Sequence, residues 1–212
     1  MKNRLLLIIF GILFIIPTAN AQKGNLEPAE SIFDEYDFRF EYYSLVRKIL
    51  MNGISDTPEL RFLIIPSFSV EEVVAIEKRN EKYYIVHHKM KQSIWYTEKN
   101  KEKIGVDKKE VEISKSDMEL YHELFKTAVN NRKYPDEQTL GFDGTNYYFS
   151  VMDKRLKTGT TWSPNEKSNI GKLTKIGNSL INLVQTTEKG NITKLNPELK
   201  KEIIELTTEL KK

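Results

Sequence analysis

Three histidines are the side chains that could carry acid–base or metal chemistry in this chain. His87 and His88 are neighbours in an apolar stretch, so on a strand they point to opposite faces and cannot hold one metal ion together. His122 follows Glu119 by three residues, a helical spacing found in carboxylate-bridged di-iron bundles. Such a site needs a second pair, and the chain contains none. The pattern favours packed or surface histidines, and we expect no metal and no other cofactor.

Carboxylates and hydroxyls offer a second route to chemistry, that of a hydrolase. Acidic residues cluster at 34–41 and 136–143, and paired carboxylates about 5 to 10 Å apart can hydrolyse glycosidic bonds. Ser67, one of the two adjacent histidines and an acid could form a nucleophilic triad, but the Gly-x-Ser-x-Gly elbow is absent. The glycines are never clustered, so phosphate loops and dinucleotide fingerprints are absent too. We assign no catalytic residue, and an enzyme is the less favoured class.

Aromatic side chains are the remaining candidates for a functional surface. Trp95 and Tyr96 end a long predicted strand, and Tyr147 and Trp162 lie on or beside a predicted hairpin. Most aromatic residues are expected in the core, since a sheet that faces helices needs bulky inward side chains. Tyr and Trp side chains that remain outside anchor partners at low entropic cost. These four residues are therefore the candidate binding residues.

The first 21 residues predict where the protein works. Two basic residues precede an apolar run from Leu5 to Ile16, and Pro17 and Ala19-Asn20-Ala21 follow. This order is that of a secretory signal peptide. The apolar run would span roughly 18 Å as a helix, well short of the roughly 30 Å hydrocarbon core that an uncleaved anchor must cross. We expect cleavage near Ala21 and no stable membrane anchor, which places the protein in the periplasm or the medium.

The composition fits one soluble domain that has no disulfide bonds. Removing the leader takes 21 of the 212 residues and two of the 33 basic ones, which leaves 191 residues with 31 basic and 30 acidic side chains. The chain has no cysteine, so its stability must come from packing and hydrogen bonds, and thiolate chemistry is excluded. The one dense basic stretch, 99–109, alternates with acids and lacks aromatics. It predicts a solvated loop, and no nucleic-acid partner is expected.

Periodicity predicts an α+β domain over residues 34–212, preceded by a flexible tether at 22–33. A helix is predicted at 35–51 and is followed by strands at 61–66, 73–79, 82–96 (with a bend near 89–92) and 110–114. A second helix, capped by Ser116 with Glu119, precedes strands at 139–142, 145–153 and 157–162. Two further helices are capped by Ser163 and Asn196. Asn80-Glu81 and Asp143-Gly144 are predicted tight turns. The strands come in hairpin-length groups, so we expect an antiparallel sheet with the helices packed on one face. Gly171 and Gly177 in the third helix indicate either a marginally stable helical segment or a closely packed neighbouring backbone.

Three local motifs within residues 110–186 carry a resemblance. They are Ser116-Asp117 with Leu124-Phe125, Asp143-Gly144-Thr145 with Tyr147 and Phe149, and Ser163-Pro164 with Asn169 and Leu173. This succession resembles an arrangement found in uncharacterised exported bacterial proteins. The motifs are structural caps and turns, and the resemblance implies no activity.

Export, small size, balanced charge and the lack of a catalytic constellation favour a non-enzymatic domain that binds another macromolecule, of the inhibitor or immunity type, with a protein partner in the cell envelope. An exposed aromatic patch would support this hypothesis. The alternative is a periplasmic or extracellular hydrolase acting on glycan or peptide, which needs a cleft with two facing carboxylates or a histidine against a serine. A third hypothesis, a carrier of a small apolar ligand, needs an enclosed cavity between sheet and helices.

Overall fold

A single sheet organises the part of the chain that the computed structural model describes, which is residues 24–29, 39–135, 143–188 and 190–212. Its strands are β1 Glu27–Pro28, β2 Leu60–Pro66, β3 Glu72–Arg79, β4 Lys82–Met90, β5 Val106–Ile113, β6 Thr145–Asp153, β7 Arg155–Trp162 and β8 Ile192–Thr193. Their spatial order is β1-β7-β6-β2-β3-β4-β5-β8. Neighbouring strands run antiparallel except β5 and β8. The predicted α+β class with an antiparallel sheet is confirmed.

Four helices pack against this sheet. They are α1 Phe40–Leu45, which continues as a π-helical turn over Val46–Leu50, α2 Lys115–Asn130, α3 Asn169–Thr186 and α4 Pro197–Leu210. The first four residues of the helix predicted at 35–51 lie outside the described residues. None of the described helices is long and apolar enough to cross a bilayer, and the predicted leader also lies outside the described residues.

The helices lie on both faces of the sheet, whereas we expected them on one. Helices α2, α3 and α4 cover the face that carries Phe62 and Ile85, here called the three-helix face. Helix α1 packs on the opposite face, which carries Leu63 and Val86 and is here called the α1 face. The central strands are apolar on both sides, and a strand of that kind needs cover on both.

Two predicted turns have different outcomes. Asn80 and Glu81 both adopt positive φ, 48° and 66°, as a two-residue turn between β3 and β4 requires, so this prediction is confirmed. Gly144 lacks the positive φ that the predicted turn requires, so the predicted turn conformation is wrong there. Strand β6 instead forms a hairpin with β7 across Lys154, whose φ is 62°. The strand predicted at 139–142 lies outside the described residues.

Serine caps two of the helices, but not the serines that we predicted. Ser114 caps α2, its Oγ accepting from the Asp117 amide at 3.1 Å, because β5 ends one residue earlier. Ser168 caps α3, accepting from the Gly171 amide at 3.0 Å. Ser163 is unavailable because its Oγ accepts from the Thr145 amide at 2.9 Å.

The α4 cap and the α3 glycines follow the sequence more closely. Asn196 caps α4 as predicted, accepting from the Leu199 amide at 2.8 Å. A Cβ on Gly171 would lie 2.0 Å from the Asn165 carbonyl oxygen, so a neighbouring backbone does approach there. At Gly177 the neighbour is a side chain, the Phe62 ring at 2.9 Å, which brings α3 close to β2.

Two segments expected to be irregular contribute to the sheet. Residues 24–29 fall within the predicted tether, yet Leu26 is fully buried and Glu27 and Pro28 pair with β7. Residues 106–109 fall within the predicted solvated loop but belong to β5. The charged side chains at 107–109 are exposed there, so the prediction of solvated charge holds while that of a loop does not.

Candidate functional site

His87 lies on the three-helix face with both ring nitrogens engaged. Its Nε2 is 3.1 Å from Glu72 Oε2, and its Nδ1 is 3.3 Å from Gln185 Nε2. Because Gln185 Oε1 accepts from Lys109 Nζ at 2.7 Å, the amide nitrogen of Gln185 must face the ring. Gln185 therefore donates to Nδ1, and Nε2–H donates to Glu72. His87 is a packed histidine with no unused nitrogen.

Glu72, the first residue of β3, completes this network. Burial raises the pKa of its carboxyl group, but hydrogen bonds from His87 and Lys89 outweigh burial and hold the pKa below its ordinary value. The ionised carboxylate thus binds two donors across the β3–β4 pair. The arrangement joins β3, β4 and α3, which is a structural role.

His88 lies on the α1 face, so the prediction that the two neighbours point to opposite faces is confirmed. The side chain is buried, and its Nδ1 is 2.7 Å from the Leu50 carbonyl oxygen. A carbonyl only accepts, so Nδ1 carries the hydrogen and Nε2 carries a lone pair. Burial is the main cause that lowers the pKa of His88; the Leu50 carbonyl opposes the shift and Lys108 adds to it. His88 is therefore held neutral.

A cleft of about 960 Å³ opens beside His88. Its floor includes Val86 and His88, one wall is the segment 53–57, and the other wall is β5 from Lys108 to Glu110. No hydrogen bond links His88 Nε2 to the described part of the chain, and the atom is not sealed from solvent. The cleft therefore reaches a neutral imidazole acceptor that is almost entirely buried.

Three carboxylate residues line the cleft, Glu59, Glu77 and Glu110, and the last two are already bound. Arg79 joins them: its Nη2 is 2.7 Å from Glu77 Oε2, and its Nη1 is 2.9 Å from Glu110 Oε2. Glu77 also accepts from the Ser55 amide at 2.5 Å. The Arg79 guanidinium therefore occupies one oxygen of each carboxylate. The pair does not form the free carboxylate dyad that a glycosidase needs.

Most of the two acidic clusters, 34–41 and 136–143, lies outside the described residues, and the other proposed catalytic groups are not assembled. Ser67 Oγ accepts from the Gly144 amide, at a different end of the sheet from the His88 cleft. His122 Nε2 lies 3.0 Å from the Met152 carbonyl oxygen, and Glu119 forms an exposed ion pair with Lys115. The described residues include no cluster of three or more metal-ligating side chains.

Trp95 and Tyr96 stand together on the turn that follows β4, and both are more than half exposed, at 53% and 57%. The Trp95 ring meets Tyr42 of α1 edge-on, with the ring centroids 5.4 Å apart. Tyr96 Oη donates to the Ser67 carbonyl at 2.7 Å, beside Phe68, which is 71% exposed. We call Phe68, Trp95 and Tyr96 the aromatic rim.

A buried carboxylate, Glu71, holds this rim in place. It is fully buried and accepts from Tyr42 Oη at 2.9 Å and from the Ile94 amide at 3.2 Å. Burial, together with the Glu71 charge, raises the pKa of the Tyr42 hydroxyl, which therefore remains a donor. Sequence reasoning missed Glu71, although it shares its strand face with Val73 and Ala75, where an acidic side chain is unexpected.

The other two candidate binding residues lie elsewhere. Tyr147 is half-buried on the three-helix face and stacks on Phe62 with centroids 5.8 Å apart. Trp162 is half-buried against Gly144. The four candidates therefore do not form one site, and only Trp95 and Tyr96 combine exposure with a shared position.

Comparison with known proteins adds no assignment. The chain matches no protein-family model, and neither a curated protein nor a solved structure matches it. Function is therefore argued from the geometry of the described residues.

Proposed function

We propose that this protein is exported and acts as a non-enzymatic binding domain of the inhibitor or immunity type, which holds a protein partner of the cell envelope through its aromatic rim. One observation carries the proposal: Trp95 and Tyr96 are exposed to solvent yet fixed in position from below. Rigid aromatic side chains lose little entropy on binding and dominate the energy of many interfaces.

The energetics of Glu71 support a dedicated role for the turn. Burial of a carboxylate is costly unless hydrogen bonds compensate for lost water. Here the compensation comes from Tyr42 and the backbone of the turn that carries Trp95. An apolar residue at position 71 would pack without that cost, but it would not connect α1 to this turn.

Charge near the rim favours an acidic partner. The segment 91–103 contains four lysines and two glutamates. Of the four, Lys91 forms an exposed ion pair with Asp107, and Lys101 lines a small cavity with Trp95. Exposed cations beside aromatic anchors favour encounter with a negatively charged surface.

Affinity capture with matched variants tests the proposal. Residues 22–212 serve as bait in native envelope extracts, as wild type, as Trp95→Ala/Tyr96→Ala, and as Tyr134→Ala. Tyr134 is also exposed, at 73%, but lies outside the rim and provides the control. We expect a partner that is retained by wild type and the control and lost by the double variant. Absence of a partner from the wild-type sample, or equal retention by all three baits, would contradict the proposal.

The two alternatives have weaker support. A hydrolase of this kind needs two free catalytic groups that face each other, whereas Arg79 binds Glu77 and Glu110, two of the three carboxylates in the His88 cleft. A carrier of apolar ligands needs space between sheet and helices, where the Phe149 ring packs 4.8 Å from Phe62 and 5.3 Å from Phe125, centroid to centroid. Substrate turnover in a hydrolase panel would reverse this order.

A further inference from the structure

The cleft beside His88 is a second region with unused binding capacity, separate from the aromatic rim. Its wall at 53–57 is held firmly from several sides. The Ser55 amide donates to Glu77, and the Ser55 carbonyl accepts from Arg61 Nη2 at 2.6 Å. The cleft is therefore formed before any ligand arrives, which reduces the entropic cost of binding.

One end of the cleft is positive and contains an acceptor. Lys108 is the register partner of His88 across the β4–β5 pair. Its Nζ donates to the Asn52 carbonyl at 2.6 Å and has no carboxylate partner within the described ranges. An ammonium group has three donors, so Lys108 keeps donors for a ligand. The His88 Nε2 lone pair beside it accepts a hydrogen bond.

The other end of the cleft is negative. Glu110 follows Lys108 by two residues on the same face of β5, which separates their Cα atoms by about 6.6 Å. Glu77, Arg79 and Glu110 together carry one net negative charge. Arg79 contacts only Oε2 of Glu110, so Oε1 is available to a cation. Val86 supplies an apolar floor between the two ends.

We propose that this cleft binds a small zwitterion of the amino-acid class, with its carboxylate at Lys108, its ammonium group at Glu110 and a hydrogen-bond donor at His88. Opposite charges fixed at opposite ends of a preformed cleft favour a ligand that carries both charges over one that carries either alone. The lone pair of His88, nearly enclosed by protein, is satisfied once a donor occupies the site. The proposal is independent of the aromatic rim.

NMR of the histidine rings provides a direct test, since the chain contains only three. The probes are glycine, β-alanine, 4-aminobutyrate and 6-aminohexanoate, whose charges are increasingly far apart, with butyrate and butylamine as single-charge controls. We expect saturable shifts of the His88 signals and small changes at His122. Binding should be strongest near 4-aminobutyrate, whose charge separation approaches the spacing along β5, and about tenfold weaker for either control, as loss of one ion contact predicts.

Variants on the exposed wall locate the two charges without disturbing the core. Lys108→Gln and Glu110→Gln should each weaken binding about tenfold, whereas Lys103→Gln, on an exposed residue outside the cleft, should leave it unchanged. Absence of a His88 shift, equal shifts with butyrate or butylamine, or unchanged binding in both cleft variants would overturn the proposal. None of these results bears on partner capture by the aromatic rim.

Discussion

The two faces of the sheet surround adjacent histidines in opposite ways. On the three-helix face, His87 has both ring nitrogens engaged, by Glu72 and Gln185. On the α1 face, His88 has one nitrogen engaged by a backbone carbonyl, and the other opens on a cleft. Three helices pack on the face that holds His87, whereas one short helix packs on the face that holds His88. A ring nitrogen without a hydrogen bond therefore remains on the face that fewer of the described helices cover.

Buried charges occur on both sides of the sheet. On the three-helix side, Asp117 of α2 is buried but lies 2.6 Å from Lys200 Nζ and accepts from the Leu195 amide. On the α1 face, Arg61 is buried with one hydrogen bond to the Ser55 carbonyl, and its Nε has no partner among the described residues. Burial is the main cause that lowers the pKa of Arg61. Asp117 Oδ1 also has no hydrogen-bond partner among the described residues, apart from its ion pair with Lys200, so buried polar atoms without a hydrogen bond occur on both sides of the sheet.

The largest expected effect is on the three-helix face. Phe149→Ala should lower the free energy of unfolding by about 3 to 5 kcal/mol, because the ring packs between Phe62 and Phe125 and its removal leaves a cavity. Urea denaturation measures the change. Phe68→Ala is the matched control on the exposed rim and should stay within about 0.5 kcal/mol of wild type. Equal losses of unfolding free energy in the two variants would contradict the assignment of Phe149 to the core and of Phe68 to the exposed rim.

A smaller effect with a local signature is expected on the α1 face. Glu71→Ala should cost about 1 to 3 kcal/mol, because Tyr42 Oη and the Ile94 amide lose their acceptor. The Trp95 indole signal should also broaden or shift in NMR spectra, since the turn loses its support. Glu98→Gln, an exposed change near the same turn, is the control. An unchanged Trp95 signal in the Glu71 variant would mean that the carboxylate does not position the rim.

Local chemistry made several of these elements predictable. Short apolar runs located β2, β3 and β4, and the Asn80-Glu81 turn follows from two neighbouring residues alone. Caps were predictable only where one candidate existed. Asn196 has no competitor beside it, whereas Ser114 lies two residues before Ser116, and the end of β5 decides between them.

The contacts that hold the candidate site in position were not predictable from local sequence patterns. Tyr42 and Glu71 meet across 29 positions of sequence, and His88 meets Leu50 across 38. Such contacts depend on how α1 crosses the sheet, and no local pattern encodes that crossing. The sequence did select Trp95 and Tyr96 by residue type, but Tyr147 shares that type and faces the core.

Acid titration should separate the two histidine environments further. His88 has a lowered pKa in the folded protein, so the unfolded chain binds a proton first as the pH falls below about 6.5. Its stabilising contribution is complete above that pH and is lost as the pH falls through the folded pKa, with a slope of at most about 1.4 kcal/mol per pH unit. Urea midpoints between pH 7.5 and 5 should fall less steeply in His88→Asn than in wild type. His122→Gln should retain the wild-type slope, and a wild-type slope in His88→Asn would assign the loss to another group.

The smallest expected effect concerns Asp153, a carboxylate at the edge of the three-helix face that is less buried than Glu71. A hydrogen bond from Lys157 is the main cause that lowers the pKa of Asp153 to about 2, with Lys126 adding to it. Its stabilising contribution is therefore present above the ordinary value near 3.8 and is lost as the pH falls through about 2. Carboxyl ¹³C NMR should report this low pKa in wild type and a higher one in Lys157→Ala. An unchanged pKa in that variant would show that Lys126 alone holds the charge of Asp153.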